Sequence, residues 1–249
     1  MCGIAGFVGI REHGLLQRMT DSLIHRGPDG DGYFCADGVG LGHRRLSIID
    51  VAGGRQPIEN EDGTLVLIHN GEIYNHRLLR RELQSRGHRF RTVSDSEVIL
   101  HLYEEFGTGC LDKMAGMWTF ALYDKVNRRL FLARDRLGIK PLYYVEAGGG
   151  VLFASEIKSL LQFGGFSPTL DANAVHDYLA LRYVPGPGGL FREVRKLPAA
   201  HFAVVEDGRL TLSRYWTPSP PPQTARRSDD DYLDEFAERF ERSITRRLM

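Results

Sequence analysis

The sequence predicts an α+β fold in which antiparallel sheets are favoured over parallel ones. Short apolar runs of strand length are separated by brief turns at residues 125–128 and 147–150. Asp207-Gly208 lies between two more such runs and indicates a tight hairpin. Other segments carry apolar residues at helical spacing, so the chain mixes both kinds of element.

Composition excludes several classes of protein. A chain of 249 residues is long enough for one large domain, or for one domain and a further fragment. The 32 basic residues balance 32 acidic ones, so the basic excess typical of nucleic-acid binding is absent. No apolar run reaches the roughly 18 residues of a membrane helix, and residues 2–10 make a poor signal peptide. The simplest expectation is a cytoplasmic protein without membrane or nucleic-acid partners.

Metal and disulfide sites are also not expected. The three cysteines, Cys2, Cys35 and Cys110, are scattered and form no CxxC pair. The nine histidines show no metal-ligand spacing, and Cys35 and Cys110 are interpreted as core residues. No GxGxxG or GxxxxGK[ST] loop is present, so we expect no ATP site and no cofactor in this chain.

The elements follow from local patterns in chain order. Residues 3–9 alternate apolar side chains with glycine and predict a strand, residues 15–23 predict a short amphipathic helix, and residues 64–68 predict a buried strand. Asn75 is expected to cap a helix that ends at Gly87, and residues 94–97 have the form of a capping box before a helix that Gly107 ends. The remaining predicted elements are strands at 117–123, 129–133, 142–145 and 151–154, helices at 155–163 and 171–181, and the hairpin 203–215.

The character of the chain changes at residue 217. Residues 217–228 hold four prolines and almost nothing apolar, which predicts a stiff, extended linker. Residues 229–249 predict one helix, with Leu233, Phe236, Phe240 and Ile244 along one face. An isolated helix with an apolar stripe needs a surface to pack on. We therefore expect a further domain to follow, or another chain to supply that surface.

Cys2 is the first candidate for catalysis. Removal of Met1 would leave its thiol beside a free α-amine with an ordinary pKa of about 7.7–8.0, which can act as a general base. The alternative interpretation is a buried apolar cysteine near a terminus.

Three polar segments are candidates for the rest of a site. Asn70 and Gly71 follow the predicted buried strand and offer two donors for an oxyanion hole, although Asn-Gly also fits a hairpin turn. Arg45 could pair with a substrate carboxylate, or could be a surface charge at a strand end. Asp95 could bind an ammonium group, or could be an acidic residue at a helix start that interacts favourably with the helix dipole.

Seven motifs together resemble one family. CGIAG at 2–6, HRGPDG at 25–30, RLSIID at 45–50, NGEIYN at 70–75, SDSEVIL at 94–100, RDRLGIKPLYY at 134–144 and FASEIKSL at 153–160 occur in this order. They resemble the glutaminase domain of glutamine-dependent asparagine synthetases, which are class II glutamine amidotransferases of the N-terminal nucleophile hydrolase type. The resemblance covers residues 2–216.

The resemblance implies a fold, an activity and a set of roles. The implied fold is a four-layer α-β-β-α sandwich of antiparallel sheets, and the implied substrate is L-glutamine. Cys2 matches the nucleophile, Asn70 and Gly71 match the oxyanion donors, and Arg45 matches the residue that grips the glutamine carboxylate. Glu72 and Asp95 match the residues that hold its ammonium group, and residues 51–56 match a mobile flap.

The resemblance also implies a partner domain. In the family, ammonia passes to a C-terminal synthetase domain that uses ATP and Mg²⁺ to activate an acid. This chain lacks the corresponding pyrophosphate loop, and residues 229–249 resemble the first helix of that domain. Asparagine synthesis is therefore expected only with that further part.

Three alternatives stay open. The glutaminase could serve a related ligase that amidates a natural-product or cell-wall acid, since the acceptor binds elsewhere. It could belong to the amidotransferases that make amino sugars, purine precursors or glutamate. It could also be a non-catalytic module that binds glutamine or docks a partner. The sequence leaves the oligomeric state open, a homodimer included.

Overall fold

A computed structural model describes residues 1–219 and 228–248. Within these residues the chain forms twelve strands and seven α-helices. The strands are β1 (Gly3–Val8), β2 (Gly30–Ala36), β3 (Val39–Arg45), β4 (Ile58–Glu59), β5 (Leu65–Ile73), β6 (Gly116–Asp124), β7 (Arg129–Arg134), β8 (Tyr143–Ala147), β9 (Gly150–Ala154), β10 (Arg195–Lys196), β11 (His201–Glu206) and β12 (Arg209–Arg214). The helices are α1 (Leu15–Asp21), α2 (His76–Ser85), α3 (Glu97–Phe106), α4 (Cys110–Lys113), α5 (Ile157–Leu160), α6 (Ala172–Leu181) and α7 (Asp229–Thr245), with a 3₁₀ turn at Gly107–Gly109.

The strands form two six-stranded sheets. The first has the order β10-β8-β9-β1-β3-β2, and the second has the order β12-β11-β7-β6-β5-β4. Every pair of neighbouring strands is antiparallel. Consecutive strands joined by short turns pair directly, as in β6–β7, β8–β9 and β11–β12, which confirms the antiparallel pattern predicted from the turns.

The two sheets pack face to face. The core between them takes side chains from both, with Ile4 and Leu41 from the first sheet and Val66, Ile68 and Leu132 from the second. All five are at most 1% exposed. Buried aliphatic side chains on both inner faces are what holds two stacked sheets together.

Helices cover the outer face of each sheet. Leu15 and Met19 of α1 pack with Leu160 of α5 on the first sheet. Leu79 of α2 and Leu102 of α3 pack in the core that lies on the second sheet. The arrangement is therefore helix, sheet, sheet, helix, and the predicted four-layer α-β-β-α sandwich is confirmed.

Three helices begin or end differently from what the local sequence patterns predict. The capping box predicted at residues 94–97 does not form, because the Glu97 carboxylate instead accepts from the backbone N–H groups of Arg91 and Thr92 at 2.7 and 2.8 Å. Asn75 precedes α2 without capping it through its side chain, which bridges Lys113 and Ala115. The helix predicted at 155–163 shortens to Ile157–Leu160.

The predicted linker lies mostly outside the described residues, which omit 220–227. The helix expected after it is present as α7, and the hydroxyl of Ser228 accepts from Asp231 N in a capping box. Its apolar stripe is uncovered: the exposed fractions are 64% for Leu233, 66% for Phe236 and 56% for Phe240. None of the described helices is both long and apolar enough to cross a membrane.

Candidate active site

Cys2 lies just before β1, at the corner where β1 begins and β3 ends. Gly3 pairs with Arg44, which places Cys2 beside the residues that follow β3. Leu46 N lies 3.4 Å from Cys2 Sγ and donates to it, and the thiol is 3.6 Å from Leu46 O. Arg26 Nε donates to Cys2 O at 2.9 Å. The half-buried thiol is thus held in a fixed place by the neighbouring chain.

Two opposing effects act on the Cys2 thiol. Burial raises its pKa, because a thiolate loses the solvation of water. The hydrogen bond from Leu46, the N-terminal charge and the charge of Arg45 lower the pKa, whereas the charge of Glu72 raises it. A partner that removes the thiol proton at the moment of attack would overcome the cost of burial.

Arg45 is the last residue of β3 and organises the loop that follows it. Its Nη1 donates to Val51 O at 2.9 Å, and its Nη2 donates to Asp50 O at 2.6 Å and to Ile49 O at 3.3 Å. The side chain is nearly buried. The guanidinium therefore holds the start of the segment 51–56, for which the family resemblance implies a flap.

The other end of this segment is held by Gln56. Gln56 Oε1 accepts from His69 N, and Gln56 Nε2 lies 3.5 Å from the hydroxyl of Ser96. Gln56 was not among the predicted site residues. It lies within the predicted flap, but no local pattern marks its role because its partners are remote in the chain.

Asn70 and Gly71 lie inside β5, not in a turn after it. The strand predicted at 64–68 continues to Ile73, so the hairpin-turn interpretation of Asn-Gly is wrong. The cause is pairing with β6, which runs without interruption from Leu65↔Asp124 to Ile73↔Gly116. His43 Nε2 of β3 lies 3.2 Å from His69 O, so this end of β5 lies next to the end of β3.

The direction of the Gly71 N–H follows from the pairing. Gly71 is opposite Trp118, whose N–H and C=O both bond to Asp135 on the side of β7. The pair Gly71–Trp118 is therefore non-hydrogen-bonded, and the Gly71 N–H points away from β6. His69 N and Ile73 N point the same way and are taken by Gln56 and Asp95. The Gly71 N–H lies between these two N–H groups and has no acceptor among the described residues.

Asn70 supplies a second free donor on the same strand. Its side chain is 1% exposed, and its Nδ2 has no hydrogen-bond partner among the described residues. A buried donor without an acceptor is costly in a folded protein and indicates a group kept for a ligand. At Gly71 a side chain is excluded, since a Cβ would lie 2.3 Å from Met117 O and 2.6 Å from Trp118 Cα.

Glu72 and Asp95 form a pair of carboxyl groups at the end of β5. Burial raises the pKa of Glu72 to about 7, with a further increase from the nearby charge of Asp95. Its Oε2 is buried, and no described group bonds to it. Asp95 is 4% exposed, its Oδ2 accepts from Ile73 N at 2.8 Å, and burial raises its pKa as well. Two poorly solvated carboxylates favour a bound cation such as an ammonium group.

Lys140 is a residue at this site that the sequence analysis missed. Its side chain is 5% exposed, and this burial lowers its pKa. The charges of Glu72 and Cys2 act in the opposite direction and raise the pKa, but burial has the larger effect. Asp135 fixes the loop before it by accepting from the N–H groups of Leu137, Ile139 and Lys140 at 3.0–3.1 Å. Lys140 lies within the motif at residues 134–144, but the groups with which it interacts are distant along the chain.

The six predicted site residues thus fall on one region of the fold. Cys2 and Arg45 come from the first sheet, whereas Asn70, Gly71 and Glu72 come from β5 of the second sheet, and Asp95 binds the end of β5. Among the described residues, the group of side chains suited to a metal lies elsewhere, at Glu61, His88 and His101.

Comparisons with known proteins show the family to which the chain belongs. A family model described as a glutamine amidotransferase domain matches residues 1–216. Asparagine synthetase [glutamine-hydrolyzing] 3 of Bacillus subtilis is 37% identical over 257 residues, covering 100% of this chain and 42% of that protein. Asparagine synthetase [glutamine-hydrolyzing] 1 of the same species is 41% identical over 224 residues, covering 87% of this chain and 35% of that protein. The chain thus spans about two fifths of the length of these relatives.

A solved structure supports the fold. Glutamine phosphoribosylpyrophosphate amidotransferase from B. subtilis superposes with a TM-score of 0.65 at 20% identity, covering 86% of this chain and 49% of that one. At this identity the likeness concerns the fold, which is that of the N-terminal nucleophile hydrolases. With the family match over residues 1–216, it follows that the chain belongs to the glutamine amidotransferase domain family.

Proposed function

We propose that this chain, once Met1 is removed, hydrolyses L-glutamine to L-glutamate and ammonia with Cys2 as the nucleophile. The observation that carries the proposal is the pair of unused donors on β5, Asn70 Nδ2 and Gly71 N–H, at the strand end beside the Cys2 corner. An amide substrate develops negative charge on its oxygen when a thiolate attacks, and such donors stabilise that charge.

The first chemical step forms a thioester. The α-amine of Cys2 takes the thiol proton while Sγ bonds to the side-chain carbonyl carbon of glutamine. Asn70 and Gly71 donate to the resulting oxyanion, a contribution of about 3 kcal/mol for each donor. The carbon–nitrogen bond then breaks, the ammonium of Cys2 returns its proton to the leaving nitrogen, and ammonia departs.

The second step restores the enzyme. A water molecule gives a proton to the Cys2 amine and adds to the thioester carbon, and the same donors stabilise the new oxyanion. The carbon–sulfur bond breaks, glutamate forms, and the sulfur takes the proton back. No redox change occurs, and the net reaction consumes one water for each glutamine.

Binding of glutamine is assigned to three charged side chains. Arg45 is placed to pair with the α-carboxylate. Since its Nη atoms already donate to carbonyls of residues 49–51, binding there couples the substrate to the position of that loop. Glu72 and Asp95 would hold the α-ammonium group. Its positive charge would stabilise the two carboxylates, which burial deprives of solvation by water.

We further propose that the ammonia is passed to a synthetase domain that uses ATP and Mg²⁺ to make asparagine from aspartate. The support is the similarity to asparagine synthetases over the whole chain. In this proposal residues 2–216 are the glutaminase domain, residues 217–228 are the linker, and residues 229–249 begin the synthetase domain.

The test is glutamate release from L-glutamine by the 249-residue chain, run beside Cys2→Ala and Asn70→Ala. We expect no hydrolysis by Cys2→Ala. For Asn70→Ala we expect a fall in kcat of about 10²–10³-fold with KM little changed, because the oxyanion exists only after attack.

The opposite outcomes are equally informative. Activity that survives in Cys2→Ala excludes the thioester. Binding of glutamine without hydrolysis, by folded protein whose mass shows that Met1 has been removed, would support the non-catalytic alternative.

A further inference from the structure

A cluster of ligand-type side chains lies on the outer helical layer, apart from the glutaminase site. Glu61 belongs to the turn between β4 and β5, His88 follows α2, and His101 lies on α3. One ligand atom from each residue lies within 4.8 Å of those of the other two. The three residues are distant in the chain, so no local spacing could have indicated them.

A fourth side chain completes the group. Glu104 Oε2 lies 2.8 Å from His101 Nδ1 and 3.3 Å from His88 Nδ1, and Glu61 Oε2 lies 3.4 Å from His101 Nδ1. In a tetrahedral Zn²⁺ site with bonds of about 2.0–2.2 Å, ligand atoms are about 3.3–3.6 Å apart. The separations of 3.3 and 3.4 Å match the edges of such a tetrahedron, whereas the 2.8 Å separation is a hydrogen bond that would have to lengthen when an ion binds.

Outer contacts fix three of these groups in the orientation that ligands need, whereas Nε2 of the fourth, His101, has no hydrogen-bond partner among the described residues. His88 Nε2 bonds to Glu105 Oε1 at 3.0 Å, which leaves Nδ1 facing the cluster. Glu104 Oε1 accepts from Asn60 Nδ2 at 2.8 Å, and Glu61 Oε1 accepts from Arg89 N at 3.2 Å. A second ring nitrogen bonded to a carboxylate is the usual support of a metal-binding histidine.

We propose that Glu61, His88, His101 and Glu104 bind a divalent transition-metal ion of the Zn²⁺ type. Burial lowers the pKa of His101, but its hydrogen bonds with Glu104 and Glu97 raise it to about 9, so the ion would displace a proton from this ring on binding. Two carboxylates and two neutral imidazoles then carry a combined charge of −2, which the cation neutralises, and oxygen and imidazole ligands suit Zn²⁺. This inference departs from the expectation of no metal site drawn from the sequence. It does not depend on the proposed glutaminase activity.

The site would have a structural role. It joins the β4–β5 turn, the segment after α2 and the helix α3, which are separate stretches of the chain. Asp95 lies just before the start of α3, so a bound ion would also steady the segment that carries a substrate-binding carboxylate. The ion would stabilise the native state because the unfolded chain does not present the four ligands together.

Zn²⁺ binding to the full chain tests the proposal. The protein, stripped with a chelator, is dialysed against Zn²⁺ and its metal content and affinity are measured in a background of Cys2→Ala and Cys35→Ser. These changes remove the two accessible thiols, because Cys35 is exposed and the expectation of a core residue there is wrong, whereas Cys110 is buried as expected. We expect one bound ion, and at least a tenfold loss of affinity in His88→Gln and in Glu61→Gln. His176→Gln, which changes an exposed histidine of α6, is the matched control and should bind as tightly as the parent.

A second readout separates binding from damage to the fold. Saturating Zn²⁺ should raise the Tm of the parent and of His176→Gln, but not that of His88→Gln, while the apo proteins melt at similar temperatures. Co²⁺ should give the visible absorption of a tetrahedral complex in the parent and in His176→Gln, but not in His88→Gln. Equal affinity in the parent and His88→Gln, or no binding by the folded parent, would overturn the proposal and leave the cluster as a set of ion pairs.

Discussion

The ammonium of Lys140 lies 3.4 Å from the thioether sulfur of Met1 and donates to it. Lys140 is nearly buried, and its charge acts on both Cys2 and Glu72. The initiator methionine therefore lies against a charged group that influences both the proposed nucleophile and a proposed substrate-binding carboxylate. Its removal would free the α-amine of Cys2 and take away the sulfur to which Lys140 donates.

Retention of the initiator residue should abolish hydrolysis. We expect a variant with lysine inserted between Met1 and Cys2 to lose glutaminase activity by about 10²–10⁴-fold, because the thiol then has no adjacent amine to act as base. Glutamate release and intact mass measure the two halves of this prediction. Full activity in a sample whose mass shows the retained residues would contradict the role given to the amine.

Lys140→Met should change the pH dependence of glutamine binding. The charge of Lys140 lowers the pKa of Glu72, so its loss raises that pKa above about 7 and leaves Glu72 protonated at neutral pH. The proposed binding of the glutamine ammonium group requires an ionised Glu72, so the acidic limb of kcat/KM should move to higher pH. If the pKa of Glu72 rises from about 7 to about 8, kcat/KM at pH 7 should fall roughly five-fold, whereas the two proteins should converge near pH ~9.

A matched control tests whether this effect is specific. Lys113→Met removes an exposed lysine of α4 and should leave the pH profile unchanged. A uniform loss of activity at every pH in Lys140→Met would instead point to a merely structural lysine.

Local patterns predicted most of the fold because its strands are short, apolar and separated by recognisable turns. The Asp207-Gly208 hairpin is an example, with both residues at positive φ, 50° and 73°. The same rule failed at Asn70-Gly71, where nine residue pairs with β6 outweigh a two-residue turn preference. The capping-box rule failed at Glu97, whose carboxylate is taken by backbone groups before the helix.

The candidate site was predictable as a set of residues but not as an arrangement. Motifs marked Cys2 and Asn70, yet only the contacts of Trp118 with Asp135 determine where the Gly71 N–H points. Lys140 was missed because the groups on which its charge acts are contributed by other strands. The cluster around His101 was missed for the same reason, because its residues are close in the fold but far apart in the sequence.

Gly71→Ala should destabilise the protein and abolish activity. A Cβ at this position would lie 2.3 Å from Met117 O and 2.6 Å from Trp118 Cα, so β5 and β6 would have to separate at the proposed oxyanion donor. We expect a loss of about 2–4 kcal/mol in the free energy of unfolding, the range of a severe overpacking change. Gly164→Ala is the matched control, since nothing lies within 4 Å of a Cβ there, and its stability in denaturant should equal that of the parent.

Glu72→Gln should stabilise the free protein while weakening substrate binding. The folded-state pKa of Glu72, about 7, lies above its ordinary value of 4.5, so the native state holds the proton more tightly than the unfolded chain. The stability of the parent therefore falls as pH rises from about 4.5 to 7. Glutamine at this position does not titrate and escapes that loss.

The gap between Glu72→Gln and the parent should be small at pH ~5 and should reach on the order of 1 kcal/mol at pH ~8, after allowance for partial exposure. The KM of the variant for glutamine should exceed that of the parent most at the higher pH. At the lower pH, where Glu72 of the parent is protonated, the two KM values should be similar. Denaturant unfolding and steady-state kinetics at the two pH values measure both trends, with the exposed Glu146→Gln as control. A carboxylate that costs stability until a cation binds it is the behaviour expected of a substrate-binding group, whereas equal stability gaps at both pH values would make Glu72 an ordinary surface acid.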